Sequence, residues 1–221
     1  ISNFVKNEII KHYHISEKKI TVIHRGIDEE FFDKTKIKEN DFMNFINKIQ
    51  IKENKKIILF PARLTAWKGQ IEFLKVLKKL KNKDFLCIFA GDNKNISYEK
   101  KLKKEIENKN LNSFCKILGH INDMRSIYKL ASVVVNASQK PEGFGRVVSE
   151  AMAMEKPVAS FNYGGVSEQL LFQDNFFKIS HNDYEHMAIV IDKILDMPQD
   201  SIEKIGKSSR VFVKKHFTKK Q

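Results

Sequence analysis

Short runs of β-branched or aromatic residues alternate with amphipathic stretches along the whole chain. The runs predict strands at Lys19 to Ile23, Lys56 to Phe60, Phe85 to Ala90, Cys115 to Leu118, Val133 to Ala137, Pro157 to Phe161 and Phe176 to Ile179. Between them lie helical spacings: Ile71, Leu74, Leu77 and Leu80 recur every third residue, and Leu102 and Ile106 are four apart. Strands alternating with helices of that length imply βαβ units and a mostly parallel, doubly wound α/β sheet covered on both faces. Near-continuous apolar strands such as "FLCIFA" fit that arrangement better than a half-exposed antiparallel sheet.

Two segments stand apart from the alternation. Residues Asp33 to Asn54 are rich in Lys, Asn and Asp, and Phe42, Phe45, Ile46 and Ile49 predict one short helix on a surface insertion. From Asp183 onward the pattern predicts two helices divided at "MPQD", with Pro198 marking the break and Asp200 a cap.

A chain of 221 residues with an apolar fraction of 42% supports one substantial core. The formal charge of +13 would suit a nucleic-acid partner, but only Arg25, Arg63, Arg125, Arg146 and Arg210 among the 40 cations are arginines. The lysines are spread along the chain beside Asn and Glu, without the clustered guanidiniums and interleaved aromatics of a phosphate-tracking surface. A solvated lysine-rich surface is the better reading, and no nucleic acid is expected. Weak attraction to an acidic membrane face stays open. Cys87 and Cys115 sit in apolar runs as small buried hydrophobes, so nothing asks for an oxidising compartment. No apolar leader opens the sequence and no 18-residue apolar run occurs, so this stretch is expected neither to span a membrane nor to carry a signal peptide. It opens on Ile1, which suggests a longer parent protein.

The candidate chemistry collects after the predicted strands, where open parallel sheets bind ligands. "PARLTAWKG", "GD", "GHIND", "SQKPEGFGRVVSE" and "NYGG" each follow one. In the richest of these, Gly143 and Gly145 permit a tight turn, and "RVVSEAMAM" has the composition of a helix starting at once. Free N–H groups at such a start bind a diphosphate; Glu150 near it can accept from a ribose diol, and Glu142 before the turn can face another part of the ligand. Taken alone, the same segment equally fits a merely tight loop with a solvated Glu150. Arg63 and Lys68 follow a buried strand and suit a pyrophosphate clamp, a guanidinium gripping two oxygens and an ammonium adding a point charge. Trp67 is expected to pack against the domain, and His120 beside Gly119 to line a nucleotide pocket. "GFGRVV" lacks the third glycine of the dinucleotide fingerprint, Val148 standing there, and no Gly-Lys-Ser/Thr phosphate loop occurs. The seven histidines form no metal-ligand pattern, Asp92 suits a turn cap, and no metal is expected.

Together the pieces "ISNFVKNEI", "ITVIHRGIDEEFF", "LFPARLTAWKGQ", "FAGD", "ILGHINDMRSIYKLASVVVNAS", "PEGFGRVVSEAMAMEKPVAS", "YGGVSE" and "SRVFVKKHFT" carry a family resemblance over nearly the whole chain. The sequence resembles the C-terminal donor-binding domain of the retaining GT-B glycosyltransferases, group 1, which include bacterial mannosyl-, glucosyl- and N-acetylglucosaminyltransferases of surface polysaccharides. The resemblance implies that Arg63 and Lys68 grip the donor diphosphate. Glu150 would bind the ribose, Glu142 the sugar hydroxyls, and the backbone from Phe144 through Gly145 and Val147 to Val148 the sugar and phosphates. The base would lie near His120 and Ile121, and Glu168 would support the loop after "YGG". Gly26 matches the glycine of a cleft-facing "NG" turn, although His24 and Arg25 precede it here.

The same resemblance divides the chain into a junction remnant (1–18), a nucleotide-sugar donor-binding domain (19–197) and a C-terminal helix packing toward an absent N-terminal domain (198–221). It implies sugar transfer from a UDP- or GDP-linked donor to a glycan or lipid acceptor in polysaccharide or lipopolysaccharide synthesis, with UDP or GDP released and no further cofactor. Such a protein would be cytoplasmic, with peripheral association at the inner membrane face left open. The isolated donor half would bind but not transfer. A GT-B nucleotide-sugar epimerase and a noncatalytic nucleotide-binding module are the alternatives.

Overall fold

The computed structural model describes residues 1–51, 55–92, 94–174 and 177–219. The elements run, in chain order, α1 (Asn3–Tyr13), α2 (Glu39–Ile49), β1 (Lys56–Pro61), α3 (Gln70–Lys79), β2 (Phe85–Ala90) and α4 (Ile96–Asn108), then β3 (Cys115–Gly119), α5 (Met124–Leu130), β4 (Val133–Asn136), α6 (Arg146–Ala153), β5 (Val158–Ser160), α7 (Tyr184–Asp196) and α8 (Gln199–His216). The sheet order is β3-β2-β1-β4-β5 and every ladder is parallel. The chain winds outward from β1 through β2 to β3, then returns to the other side of β1 as β4. That reversal makes the carboxyl ends of β1 and β4 the topological switch point.

Period-two alternation along the strands splits the core between the two faces of the sheet. Ile58 and Phe60 of β1 point into one cluster with Phe73, Leu77, Val190 and Ile191 from α3 and α7. Ile57 and Leu59 point into the other, with Tyr128, Ala151, Met152 and Val213 from α5, α6 and α8. β2 is buried at Cys87 through Ala90 on both faces, as a central strand of a parallel sheet must be.

Three expectations are corrected. Lys19 to Ile23 is not a strand: Glu17–Lys19 forms a 3-10 turn, and Ile23 is 68% exposed, because no sheet neighbour lies beside this segment. The expected strand from Phe176 starts outside the described residues, and Ile179 makes only an isolated bridge to Phe161. The polar excursion from Asp33 does carry the expected helix, α2, but it does not stand off as an insertion. Ile49 is buried, Phe42 and Phe45 pack on the core, and Lys116 of edge strand β3 donates to the carbonyl of Ile49 at 2.6 Å. The divide at Pro198 is where α8 begins, and α8 lays Gly206, Ser209, Arg210 and Val213 inward, packing on α6. Among the described residues no helix is long and apolar enough to cross a membrane.

Arg210 ties the first loop to the helices. Its guanidinium donates to the carbonyls of Phe32 (2.9 Å), Glu29 (3.2 Å) and Ala153, and pairs with Asp33 at 2.6 Å. The C-terminal turn then reaches back across the sheet end. Ile27 N–H donates to the Phe217 carbonyl at 2.8 Å, and a Cβ on Gly26 would lie 2.3 Å from the Thr218 carbonyl oxygen, so only glycine fits there.

Candidate functional site

After β1 the chain turns through Ala62 to Lys68 at the switch point. The Arg63 carbonyl is held at 2.8 Å by the side-chain amide of Gln70, which is fully buried and accepts from the Tyr98 hydroxyl at 3.2 Å. This fixes the backbone while the Arg63 side chain stays exposed. Lys68 closes a 3-10 turn, Ala66–Lys68, with its ammonium 2.9 Å from Glu142 Oε2 and 4.1 Å from the centre of the Trp67 ring. Trp67 borders the resulting cavity rather than serving only as packing.

The facing wall comes from the segment after β4. Glu142 is held by three donors: Asn136 Nδ2 at 3.0 Å and Ser138 Oγ at 2.5 Å on Oε1, and Lys68 on Oε2. Gly145 has φ +86°, and a Cβ there would sit 2.4 Å from a Val166 methyl, so the turn into α6 requires glycine. Gln169, fully buried, donates to the Phe144 carbonyl and accepts from the Ser149 hydroxyl, bracing the start of α6. In the first turn of that helix Val148 N–H already donates to the Gly145 carbonyl at 3.0 Å, which leaves the N–H groups of Arg146 and Val147 outside the helical ladder, and the dipole adds partial positive charge.

Three cavities adjoin along this edge. The first, about 350 Å³, brings together Arg63, Lys68, Glu142, Phe144, Gly145 and Val147. The second, about 390 Å³, holds Gly26 and Glu150 with Asn122 and Met124. The third, about 540 Å³, holds His120 and Ile121 against Phe45 of α2. Arg146 borders the first and second, and Asn122 the second and third, so the three adjoin in series. The residues expected at the phosphates, Arg63 and Lys68, thus lie in the first cavity, Glu150 in the second together with Gly26, and His120 and Ile121 in the third.

Glu150 is nearly buried, 8% exposed, with Oε2 accepting from the Tyr128 hydroxyl at 2.9 Å and Oε1 3.0 Å from the Arg146 guanidinium. Burial pushes its carboxyl above the ordinary value, and Arg146 and Tyr128 offset only part of that. The fully buried Tyr128 hydroxyl is pushed far up by burial and by the Glu150 charge, so it remains a donor. Glu168 does more than brace its own loop. It accepts from the backbone N–H of Asn3 (3.0 Å) and Phe4 (2.9 Å), the Asn3 amide (2.9 Å) and His24 Nε2 (2.9 Å). Burial alone would raise the Glu168 carboxyl, but these donors outweigh it and hold it below the ordinary value.

Several residues at the site were not singled out from sequence. Tyr128, Asn136, Ser138 and Gln169 act on Glu142, Glu150 and the α6 turn from elsewhere in the chain, a pairing that no local pattern encodes. Arg25, which borders the first cavity, did carry a signal: it is one of only five arginines and precedes Gly26. Asp92, expected as a turn cap, accepts from Lys94 N–H at 2.9 Å. Among the described residues no three His, Cys, Asp or Glu side chains are placed to hold a metal ion.

A parallel sheet with this order, a glycine-started helix and a group of cations at its switch point define a doubly wound domain built to receive an anionic ligand. The model of the family described as "Glycosyl transferases group 1" matches residues 41–212, and the chain belongs to that family. An uncharacterized glycosyltransferase of Methanocaldococcus jannaschii is 29% identical over 198 residues, 88% of this chain and 50% of that protein. The crystal structure of a glycosyltransferase from Rickettsia africae superposes with a TM-score of 0.92 at 32% identity, covering 99% of this chain and 58% of that one. HepE of Anabaena, solved with UDP and glucose, superposes with a TM-score of 0.87 at 23% identity over 98% of this chain and 58% of its own. The fold is that of the C-terminal half of GT-B proteins, and the chain spans about half the length of the curated relatives it matches.

Proposed function

We propose that this chain is the donor-binding half of a glycosyltransferase that takes a sugar from a UDP- or GDP-linked donor and passes it to a glycan or lipid acceptor. The observation that carries the reading is the meeting of Arg63, Lys68 and the start of α6 around one cavity, with Glu150 one helical turn further along α6 in the next. As the sugar leaves, charge grows on the diphosphate, and preorganised cations and backbone N–H groups stabilise that charge most where it develops. HepE, alike in fold, is a protein solved with UDP and glucose, which agrees with this class of ligand.

The reaction proceeds with retention, by attack on the face from which the diphosphate departs. Support comes from the carboxylates. Glu142 is engaged by Lys68, Asn136 and Ser138, and Glu150 by Tyr128 and Arg146, so neither stands free as the covalent nucleophile of a retaining glycosidase. In this reading Glu142 and Lys68 meet the sugar and its leaving group, while Glu150 orients the ribose. The acceptor belongs to surface polysaccharide or lipopolysaccharide synthesis. The protein works in the cytoplasm, with its lysine-rich surface drawn to the anionic inner face of the membrane.

The test is product analysis with the full-length protein and a panel of UDP- and GDP-sugars. Sugar transferred to a glycan or lipid supports the proposal. An epimerised free donor would replace transfer with epimerisation, and binding of nucleotide without consumption of any donor would leave a noncatalytic module.

A further inference from the structure

We propose that Arg25 is a third phosphate-binding cation of the 350 Å³ cavity, held in aim by Glu168 acting through His24; the inference rests on the nucleoside-diphosphate reading above. Arg25 borders the same cavity as Arg63 and Lys68. Among the described residues its side chain makes no hydrogen bond and no ion pair. Lys68, by contrast, is matched by Glu142, and Arg146 by Glu150. The cavity therefore faces a ligand with four cations, Arg25, Arg63, Lys68 and Arg146, against the single lining carboxylate of Glu142, Arg146 being paired with Glu150 of the adjoining cavity. That imbalance fits a multiply charged diphosphate rather than a neutral sugar.

The backbone on either side of Arg25 is fixed by residues distant in sequence. On one side, the His24 ring donates through Nε2 to Glu168 Oε2 at 2.9 Å and stands edge-on to Phe217 with ring centres 5.4 Å apart. On the other, Gly26 is pressed against the Thr218 carbonyl, and Ile27 N–H donates to the Phe217 carbonyl at 2.8 Å. The guanidinium thus hangs from a pinned backbone, and binding a phosphate orders only its own side-chain torsions.

Glu168 is the common anchor. It also accepts the first-turn N–H groups Asn3 and Phe4 of α1, and its loop meets the Glu142 segment, where Gly165 N–H donates to the Glu142 carbonyl at 2.8 Å. A single carboxylate therefore holds the Arg25 turn and the start of α1 together, on a loop that the Gly165 N–H ties to the Glu142 segment. In this scheme Glu168 is a positioning residue that touches no ligand, and Arg25 is the residue it positions.

The test is isothermal titration calorimetry of the 221-residue chain with UDP and with uridine, or with GDP and guanosine should the wild type bind GDP more tightly. Arg25→Ala is expected to weaken diphosphate binding about tenfold or more while leaving nucleoside binding unchanged, the loss typical of a charge-assisted hydrogen bond. Arg25→Lys should restore part of the difference. Glu168→Gln should weaken the diphosphate in the same direction, and the double variant should fall no further than Arg25→Ala alone. Full retention of the diphosphate preference in Arg25→Ala would overturn the proposal, and additive losses in the double variant would overturn the positioning role of Glu168. Because the Arg25 side chain is exposed and unpaired, Arg25→Ala is expected to fold and decides the matter even if Glu168→Gln does not. A wild type that binds diphosphate no better than nucleoside would instead sink the donor-binding reading itself.

Discussion

Lys68 Nζ lies 2.9 Å from Glu142 Oε2, joining the segment after β1 to the segment after β4 across the switch point of the sheet. An arriving diphosphate must share this ammonium with the carboxylate already on it. Glu142→Gln removes a negative charge beside the ligand while keeping the side chain's shape. It is therefore expected to tighten UDP or GDP binding by about 3- to 10-fold, even as sugar transfer by the full-length protein falls. Lys68→Ala should weaken the same ligand by about tenfold or more. Calorimetry on both variants checks the signs, and a loss of affinity in Glu142→Gln would mean that Glu142 serves chiefly to hold Lys68 in place.

Glu150 should confer discrimination between ribose and deoxyribose. With one oxygen on Tyr128 and the other on Arg146, its carboxylate is fixed, and the remaining lone pairs are what a ribose diol meets. Glu150→Gln is expected to cut the ratio of ribonucleotide to 2′-deoxyribonucleotide affinity about tenfold. The sign of the pH dependence follows from burial. Because burial raises the folded carboxyl, it takes up its proton at a higher pH than an ordinary Glu, so the ratio should decline earlier on acidification than an exposed carboxylate would allow. Matched nucleotide titrations between neutral and mildly acidic pH check it, and a flat ratio would make Glu150 a purely structural residue.

Arg210 should matter to stability out of proportion to its place near the C-terminus. Its guanidinium satisfies the Phe32, Glu29 and Ala153 carbonyls and the Asp33 carboxylate at once, and it is 8% exposed. Arg210→Ala takes the side-chain donor from the buried Phe32 and Ala153 carbonyls and leaves the half-buried Asp33 carboxylate with Thr35 alone, and is expected to cost about 3–5 kcal/mol. Arg210→Lys should recover less than half of that, because an ammonium cannot reproduce the planar fork. Urea unfolding of the two variants gives the comparison.

The alternating pattern of the chain carried the parallel sheet and most helices, because strands buried on both faces and helices with one apolar stripe leave direct marks. It failed at Lys19 to Ile23, where β-branched residues form no strand since no sheet edge lies beside them. It also misplaced α2 as an insertion, since that helix's many Lys, Asn and Asp residues masked the Phe42, Phe45 and Ile49 face that packs. At the site, Arg63, Lys68, Glu142 and Gly145 were legible because they follow strands and flank a helix start. Tyr128 and Gln169 were not, because a buried hydroxyl reaching Glu150 and a buried amide reaching Phe144 are products of tertiary packing alone.

The central claim is that this domain grips a nucleoside through its diphosphate, and the most direct measurement is titration of the 221-residue chain with UDP against uridine and GDP against guanosine under one buffer and salt. One of the two diphosphates is expected to bind at least about tenfold more tightly than its nucleoside, with the gap narrowing as salt screens the exposed cations. Equal affinities of each diphosphate and its nucleoside at low salt would contradict the account, since Arg63, Lys68 and the start of α6 would then be doing nothing for phosphate.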